Sequence, residues 1–316
     1  MAAPACSDED FVELFEKHGA PRLAEMLKIS ERAVRSRRVR LENKLCRQIT
    51  SPDPLRGTRH FIAHPERHFL EVTDGVIVVA SDAHYWPGYV STAHKALVKF
   101  LKRARKVKAV IMNGDALDGA SISRHAPISW EENPSLIGEI EECGARLDEI
   151  RKAAPNAEHI WTLGNHDGRF ETRLATVAPE FAKIHGVHLK DHFPHWVPCW
   201  STWINEDVVV KHRFKGGIHA THNNTIWAGK TVVTGHLHSL KVTPFSDYNG
   251  IRWGVDTGTL ADPYGPQFRN YMEDNPRNWR SGFAVLTFEN GQLRWPEIVH
   301  VVDEGVAEFR GETFEV

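Results

Sequence analysis

A layered α/β domain preceded by a small all-α segment is the fold class this sequence predicts, and three observations predict it. Five short apolar runs, largely β-branched, lie between Val76 and Thr234. Amphipathic stretches at helical spacing separate the first three of them. Ahead of these, from Asp10 to Ile49, the spacing is helical and no strand pattern occurs. Between the two regimes stands Ser51-Pro52-Asp53-Pro54-Leu55-Arg56-Gly57, where proline and glycine disfavour both helix and sheet. The expected division is a helical domain with its linker over residues 1–54 and the α/β domain over residues 55–316.

In the first part, Phe11, Leu14 and Phe15, then Leu23, Leu27, Val34, Leu41 and Leu45, recur at helical steps, interrupted at His18-Gly19-Ala20-Pro21. Leu23 to Val34 carries the apolar spacing of a helix, a turn and a second helix, with Ser30 placed to cap the second. It resembles the helix-turn-helix family of DNA-binding segments. Lys28 stands where glycine is usual at the turn, and Arg37 where an apolar contact is often found. Arg32, Arg35, Arg37, Arg38 and Arg40 crowd the second helix, so a nucleic-acid partner contacted at phosphates or base edges is the expectation. The alternative is a solvated arginine-rich helix that docks on an acidic face of its own protein.

In the second part, Val76–Ala80, Ala109–Met112, His159–Leu163, Val208–Val210 and Thr231–Thr234 read as strands buried on both faces. Helices are expected from about Ser91 to Lys106 and from about Ser135 to Ala153, which gives successive βαβ units. Residues 169–203, rich in histidine and aromatics and containing Pro194 and Pro198, read as an insertion packed beside the site. The tail alternates over Phe283–Phe288 and Leu293–Val302, with Asn290-Gly291 between as hairpin-turn chemistry.

Composition narrows the setting. With 39 basic and 41 acidic residues the chain is no polycation, so any affinity for nucleic acid must be local. Cys6, Cys46, Cys143 and Cys199 lack the spacing of a disulfide framework or a cysteine zinc site, and reduced thiols are expected. The acidic N-terminal stretch is unlike a secretory signal, and no apolar run approaches the roughly 20 residues a membrane span needs. A soluble cytoplasmic protein without a membrane partner is the expectation.

Each apolar run is followed by a polar cluster: Asp82-Ala83-His84, Gly114-Asp115-Ala116-Leu117-Asp118, Gly164-Asn165-His166-Asp167, Lys211-His212 and Gly235-His236-Leu237-His238. Ligands of α/β sheets collect beyond the carboxyl ends of strands, which is where all five clusters fall. Side chains at i and i+2 of an extended segment point the same way, which pairs Asp82 with His84 and His236 with His238. Burying two aspartates among histidines without a counter-ion would be costly. Two divalent ions account for the set. Ions about 3.5–4 Å apart repel, so a bridging carboxylate is needed, and Asp115 is the natural candidate. Two divalent charges less Asp82 and Asp115 leave a formal surplus of +2, suited to a phosphate ester.

In order and spacing, these clusters resemble the calcineurin-like metallophosphoesterase superfamily over Val76 to Gly258. The resemblance implies a four-layer αββα sandwich with a dinuclear centre at the strand ends. It also implies that Asp82, His84, Asp115 and His238 hold one ion, and Asp115, Asn165, His212 and His236 the other. His222 is the rival to His212. Hydroxide bridging the ions is then the expected nucleophile, because metal coordination lowers the pKa of bound water to about 7. His166 is expected as general acid for the leaving alkoxide, with Asp167 orienting or charging it. Asp118 is expected to support the ligands from behind, and Arg124 with His125 to hold substrate phosphate. Manganese is the leading metal; iron and zinc suit the same donors.

The function expected first is a metal-dependent phosphodiesterase acting on nucleic acid. A second reading keeps the hydrolase but gives it a small-molecule, cyclic-nucleotide or phosphoprotein substrate, with the N-terminal segment serving assembly. A third is a non-enzymatic DNA-binding regulator with structural metals.

Overall fold

Alternation of side chains along the strands decides how the larger part of the chain layers. The computed structural model describes residues 6–45, 47, 49–51, 63–125, 130, 133–269, 271 and 274–316. The chain separates into two units, Met1–Ile62 and Ala63–Val316. Pro52 to Gly57, the expected linker, lie outside the described residues.

In the first unit, helix α1 (Asp8–Leu27) starts at Ser7, whose hydroxyl accepts from the Asp10 amide, and it breaks at Gly19 (φ 72°) ahead of Pro21. It ends at Lys28, which takes the left-handed conformation (φ 53°, ψ 42°) that glycine usually supplies at a helix end. Helix α2 (Glu31–Leu45) follows at once, with the Ser30 hydroxyl accepting from the Ala33 amide. Phe11, Phe15, Leu23, Val34 and Leu41 close the core between them.

Of the five arginines expected to contact nucleic acid from α2, three are engaged within the unit itself. The Arg37 guanidinium donates to the Asp8 carboxylate and to the carbonyls of Cys6 and Ser7, and lies 4.5 Å over the Phe11 ring. It staples the start of α1 to α2, which is why a cation can occupy an apolar contact position. Arg38 covers the Phe15 ring and faces Glu42, and Arg35 pairs with Glu31. Arg32 and Arg40 are exposed, with no carboxylate partner among the described residues.

The second unit runs β1 (His68–Leu70), β2 (Gly75–Ala80), α3 (Thr92–Arg103), β3 (Val107–Met112), α4 (Leu136–Ala153), β4 (Glu158–Thr162), α5 (Asp167–Val177), α6 (Leu189–His192), β5 (Val197–Cys199), β6 (Thr202–Ile204), β7 (Val208–Val210), α7 (Ala220–Ala228), β8 (Thr231–Thr234), β9 (Lys241–Asp247), β10 (Gly250–Asp256), β11 (Gly282–Glu289), β12 (Gln292–Leu293), β13 (Glu297–Asp303), β14 (Val306–Phe309) and β15 (Glu312–Glu315). One sheet has the order β15-β14-β13-β11-β2-β3-β4-β5, with β12 also paired to β11; the other has β1-β6-β7-β8-β10-β9. In the larger sheet, β2, β3, β4 and β5 are parallel neighbours, as their helical crossovers require.

Successive side chains of a strand face opposite ways. Ile77 and Val79, Ala109 and Ile111, and Ala284 and Leu286 therefore join Val208, Val210, Val233 and Val255 in the core between the sheets. Val78, Val110, Met112, Phe283 and Val285 face outward and are covered by Ala96, Leu97 and Leu101 of α3 and Cys143, Leu147 and Ile150 of α4. Helix α7 covers the other sheet along β8, β9 and β10. The layering is αββα, as the sequence led one to expect.

Residues 169–203 differ from the expected insertion. Leu189, Phe193 and Trp196 enter the outer core, and Val197–Cys199 becomes the edge strand β5, where Pro198 is tolerated. The tail turn is as expected: Asn290 (φ 51°) and Gly291 (φ 76°) link Glu289 to Gln292 by two residues. β11, however, also lies against β2, which places the tail in the middle of the larger sheet. Among the described residues no helix is long and apolar enough to cross a membrane, and Cys6, Cys143 and Cys199 are unpaired. Cys46 lies outside the described residues.

Arg37→Ala should destabilise the first unit by about 1–3 kcal/mol, from charged hydrogen bonds to carbonyls and the lost ring contact. Faster amide exchange at Phe11 to Phe15, with exchange in the β2 and β3 core unchanged, is the expected readout.

Candidate metal centre

Five strand ends converge. The carboxyl ends of β2, β3 and β4 from one sheet, and of β7 and β8 from the other, deliver Asp82 and His84, Asp115 and Asp118, Asn165 and His166, His212, and His236 and His238. The polypeptide turns so sharply here that Asp82, His84, Asp115, His236 and His238 all adopt positive φ, at 53°, 40°, 52°, 71° and 55°. Non-glycine residues held this way cost of order 1–3 kcal/mol each, and such strain gathers at functional sites. Close approach also dictates two glycines. A Cβ on Gly164 would lie 2.0 Å from Asp115 Oδ1, and one on Gly235 would lie 2.5 Å from Asp82 Oδ2.

Donor atoms gather in overlapping sets: Asp82, His84 and His238; Asp115, His212 and His236; and His84, Asp118 and His166. Whether the first two suit divalent ions is tested by where the ring protons go. His212 Nδ1 donates to the Asn113 carbonyl at 2.8 Å, which leaves the Nε2 lone pair 3.0 Å from Asp115 Oδ2 and 3.9 Å from Asp82 Oδ1. His84 Nδ1 donates to Asp118 Oδ1 at 2.8 Å, which frees its Nε2 for the site. His238 Nε2 lies 3.1 Å from Asp82 Oδ1. Asp82 Oδ1, Asn165 Oδ1 and His212 Nε2 are buried with no hydrogen-bond partner. Lone pairs facing one another across such distances repel unless protons or metal ions lie between them. The donor set therefore fits two divalent cations.

The electrostatics agree. Burial opposes ionisation of Asp82 and Asp115, yet the facing His238 and His212 hold the first below the ordinary carboxylate range, and His212, His166 and His84 do the same for the second. Burial also opposes a charge on His212, but Asp82 and Asp115 raise its pKa well above the usual imidazole value. In metal-free protein a proton on His212 thus does part of a cation's work. His236 is held low by burial and by the nearby His212.

His212 takes the cluster position for which His222 was the rival. His222 is exposed on α7 with its ring beside Phe245, and does not reach the donor set.

Asp167 does not orient His166, and that expectation is corrected. Its carboxylate points inward and accepts from the amides of Asp115, Gly164 and Leu117 and from the Trp161 indole. It pins the β3 and β4 turns together, and burial and Asp115 push its pKa up to about 6. Asp118 is what His166 meets. Asp118 Oδ1 accepts from His166 Nδ1 and from His84 Nδ1, each at 2.8 Å, so one carboxylate fixes both rings.

Two groups escaped the sequence reading. Arg169 donates to the Asp118 carbonyl at 3.0 Å, and its other terminal nitrogen lies 3.1 Å from His166 Nε2. Its only sequence signal is its place three residues after His166, at the start of α5. An aromatic wall of Trp86, Phe268, Tyr271 and Trp279 bounds a cavity of about 500 Å³ over the donor set. The Trp279 ring is 4.4 Å from that of His238, and Phe268 is 5.1 Å from His84. A second cavity of about 750 Å³ adjoins the first, lined by Arg124, Arg173, Trp200, Lys211 and Arg213. His125, Asn165 and Arg169 border both.

A family model, calcineurin-like phosphoesterase, matches residues 75–253. The Gene 54 protein of Mycobacterium phage L5 is 27% identical over 220 residues, which cover 61% of this chain and 81% of that protein. The Gene 54 protein of Mycobacterium phage D29 is 25% identical over 234 residues, covering 66% and 87%. Among solved structures, vacuolar protein sorting 29 from Cryptosporidium parvum overlaps with a TM-score of 0.42 at 12% identity, over 78% of this chain and 100% of that one.

Gly164→Ala should bind manganese at least tenfold more weakly, because the methyl group, 2.0 Å from Asp115 Oδ1 and 2.6 Å from the Asp115 amide nitrogen, forces both that carboxylate and its turn to shift; isothermal titration reads it. Asp118→Asn should weaken binding by about 10–100-fold, the usual effect of losing the carboxylate behind a ligating histidine. In the parent protein manganese binding should release protons near neutral pH, since His212 is protonated without metal. Titrations in buffers of different ionisation enthalpy check this, and no proton release would contradict it.

Proposed function

We propose that this chain, which belongs to the calcineurin-like phosphoesterase family, hydrolyses phosphodiester bonds of nucleic acid with manganese as its preferred metal. Membership makes it a metal-dependent phosphoric ester hydrolase; the diester and its polymer are our reading. The observation that carries it is a pair of adjoining cavities at the donor set. Each cavity takes in part of the donor set and the two share His125, Asn165 and Arg169, so a substrate can extend from the reacting phosphorus into either. A monoester has a group on one side only, whereas a diester has one on each. The aromatic wall offers π-faces to a nucleobase on its side.

Asp82, His84 and His238 would hold one ion, and Asp115, Asn165, His212 and His236 the other. Bound divalent ions supply Lewis acidity toward the phosphate oxygens and a lowered pKa for water. The chain's own residues do the rest. Arg169 offers a fixed fork of donors to a phosphate oxygen, and moving to it withdraws the guanidinium from His166 Nε2. Burial disfavours a charge on His166, but Asp118 and Asp115 outweigh that and raise its pKa. With Nδ1 held by Asp118, the proton it can release is the one on Nε2, toward the leaving alkoxide. Phe268 and Trp279 pack on the rings of His84 and His238 and hold them in place.

The test is a manganese panel of bis-p-nitrophenyl phosphate, p-nitrophenyl phosphate, cyclic nucleotides and oligonucleotides. Diesters should be cleaved at least tenfold faster than the monoester, with oligonucleotides among them. Asp115→Ala should abolish turnover, and His166→Ala should lower kcat by about 10²–10⁴-fold, the usual range for a lost general acid. A monoester preference, or oligonucleotides left intact under every metal, would refute the reading.

A further inference from the structure

The second cavity asks for an explanation that the metal centre does not give. Arg124, Arg169, Arg173, Lys211 and Arg213 line it, and among the described residues no carboxylate does. They arrive from three places: the loop after β3, one face of α5, and the segment after β7. Arg124, Arg173 and Arg213 have no ion-pair partner among the described residues, in a chain whose charges otherwise nearly balance. Cations brought together this way repel one another, and the arrangement is stabilised when a polyanion lies among them. Trp200 stands in the same lining with about half its surface exposed. Large exposed aromatics beside basic side chains are the pairing that stacks an unpaired base while cations follow its backbone. The groove meets the donor set at His125, Asn165 and Arg169, so a strand lying in it would bring one of its phosphates to the metals.

We infer that this groove is a binding track for single-stranded nucleic acid, holding the backbone phosphates on one side of the scissile bond. The inference rests on the nucleic-acid reading of the site and adds which strand form it takes and where. A duplex keeps its bases stacked and could not use Trp200, so an unpaired strand is the occupant that uses every feature of the groove.

Fluorescein-labelled dT12 binding to the full chain, with metals removed by chelation, tests it through anisotropy. In Arg173→Glu/Arg213→Glu the Kd should rise at least tenfold over the parent. Its dependence on salt should weaken by about 0.7 in log–log slope for each cation lost. Lys102→Glu/Arg103→Glu, at two exposed sites on α3, makes the same change in net charge and should change Kd less than twofold. A double variant that binds within twofold of the parent, or no worse than the control, overturns the track, as does tighter binding of a duplex of equal length. Cleavage in manganese separates the two claims. Loss of dT12 binding in the double variant, with a parent that does not cleave dT12, would support the track and sink the nuclease reading. Cleavage of dT12 indifferent to Arg173 and Arg213 would do the opposite.

Discussion

Everything around the strand ends depends on one electrostatic constraint: the lone pairs of Asp82, Asp115, His212 and His238 are buried and aimed at one another. Without metal these groups lean on a shared proton, the one Asp82 and Asp115 hold on His212, and that single charge does only part of what two divalent cations would do. The surrounding chain holds them there nonetheless. Backbone amides of Asp82, His84 and Tyr85 donate to carbonyls of Gly114, Asp115 and Ala116, which zips the turn after β2 to the turn after β3. The Thr259 hydroxyl donates to the Asp82 carbonyl, and the His236 amide donates to Asp82 Oδ2. Five left-handed residues are stabilised by these bonds rather than by local preference. A site so strained and so charged is preorganised for cations, because little of the geometry has to change when they bind.

The same constraint separates the roles of the acids. Asp167 is adjacent to His166 in the chain, yet it begins a helix and its carboxylate turns back under the loop to collect three amides. Asp118 lies 48 residues from His166 in sequence and touches it in space. Because Asp118 also holds His84, the expected proton donor and an expected metal ligand share one support. Motion of either ring is felt by the other through that carboxylate.

Much of this was legible in the sequence. The β-branched runs specified the strands because strands buried on both faces need apolar side chains at every position. The polar clusters marked their ends because ligands collect there. Asp-x-His and His-x-His spacing placed pairs of side chains on one side. What could not be read depends on contacts distant in sequence. The edge strand β5 carries proline and only three residues, too few for a periodic signal. Strands β14 and β15 are marked by alternation no stronger than that of a surface loop. Arg169 and the aromatic wall of Phe268, Tyr271 and Trp279 matter only because the fold brings them over the donor set, and no local spacing encodes that.

Charge shows the difference most plainly. The arginines of α2 are conspicuous in sequence because they are close together, and that same closeness on one helix lets Glu31 and Glu42 reach Arg35 and Arg38 one turn away. Arg37 is drawn into the helix pair by Asp8 and two carbonyls. A local run of one charge invites local compensation, so much of its field is cancelled within its own unit. The cations of the groove are scattered from Arg124 to Arg213 and form no run. Their neighbours in sequence are apolar strands and a helix rather than glutamates at helical spacing, so folding concentrates them without supplying carboxylate partners among the described residues. Cations without carboxylate partners among the described residues therefore gather where the sequence shows no cluster, beside the donor set.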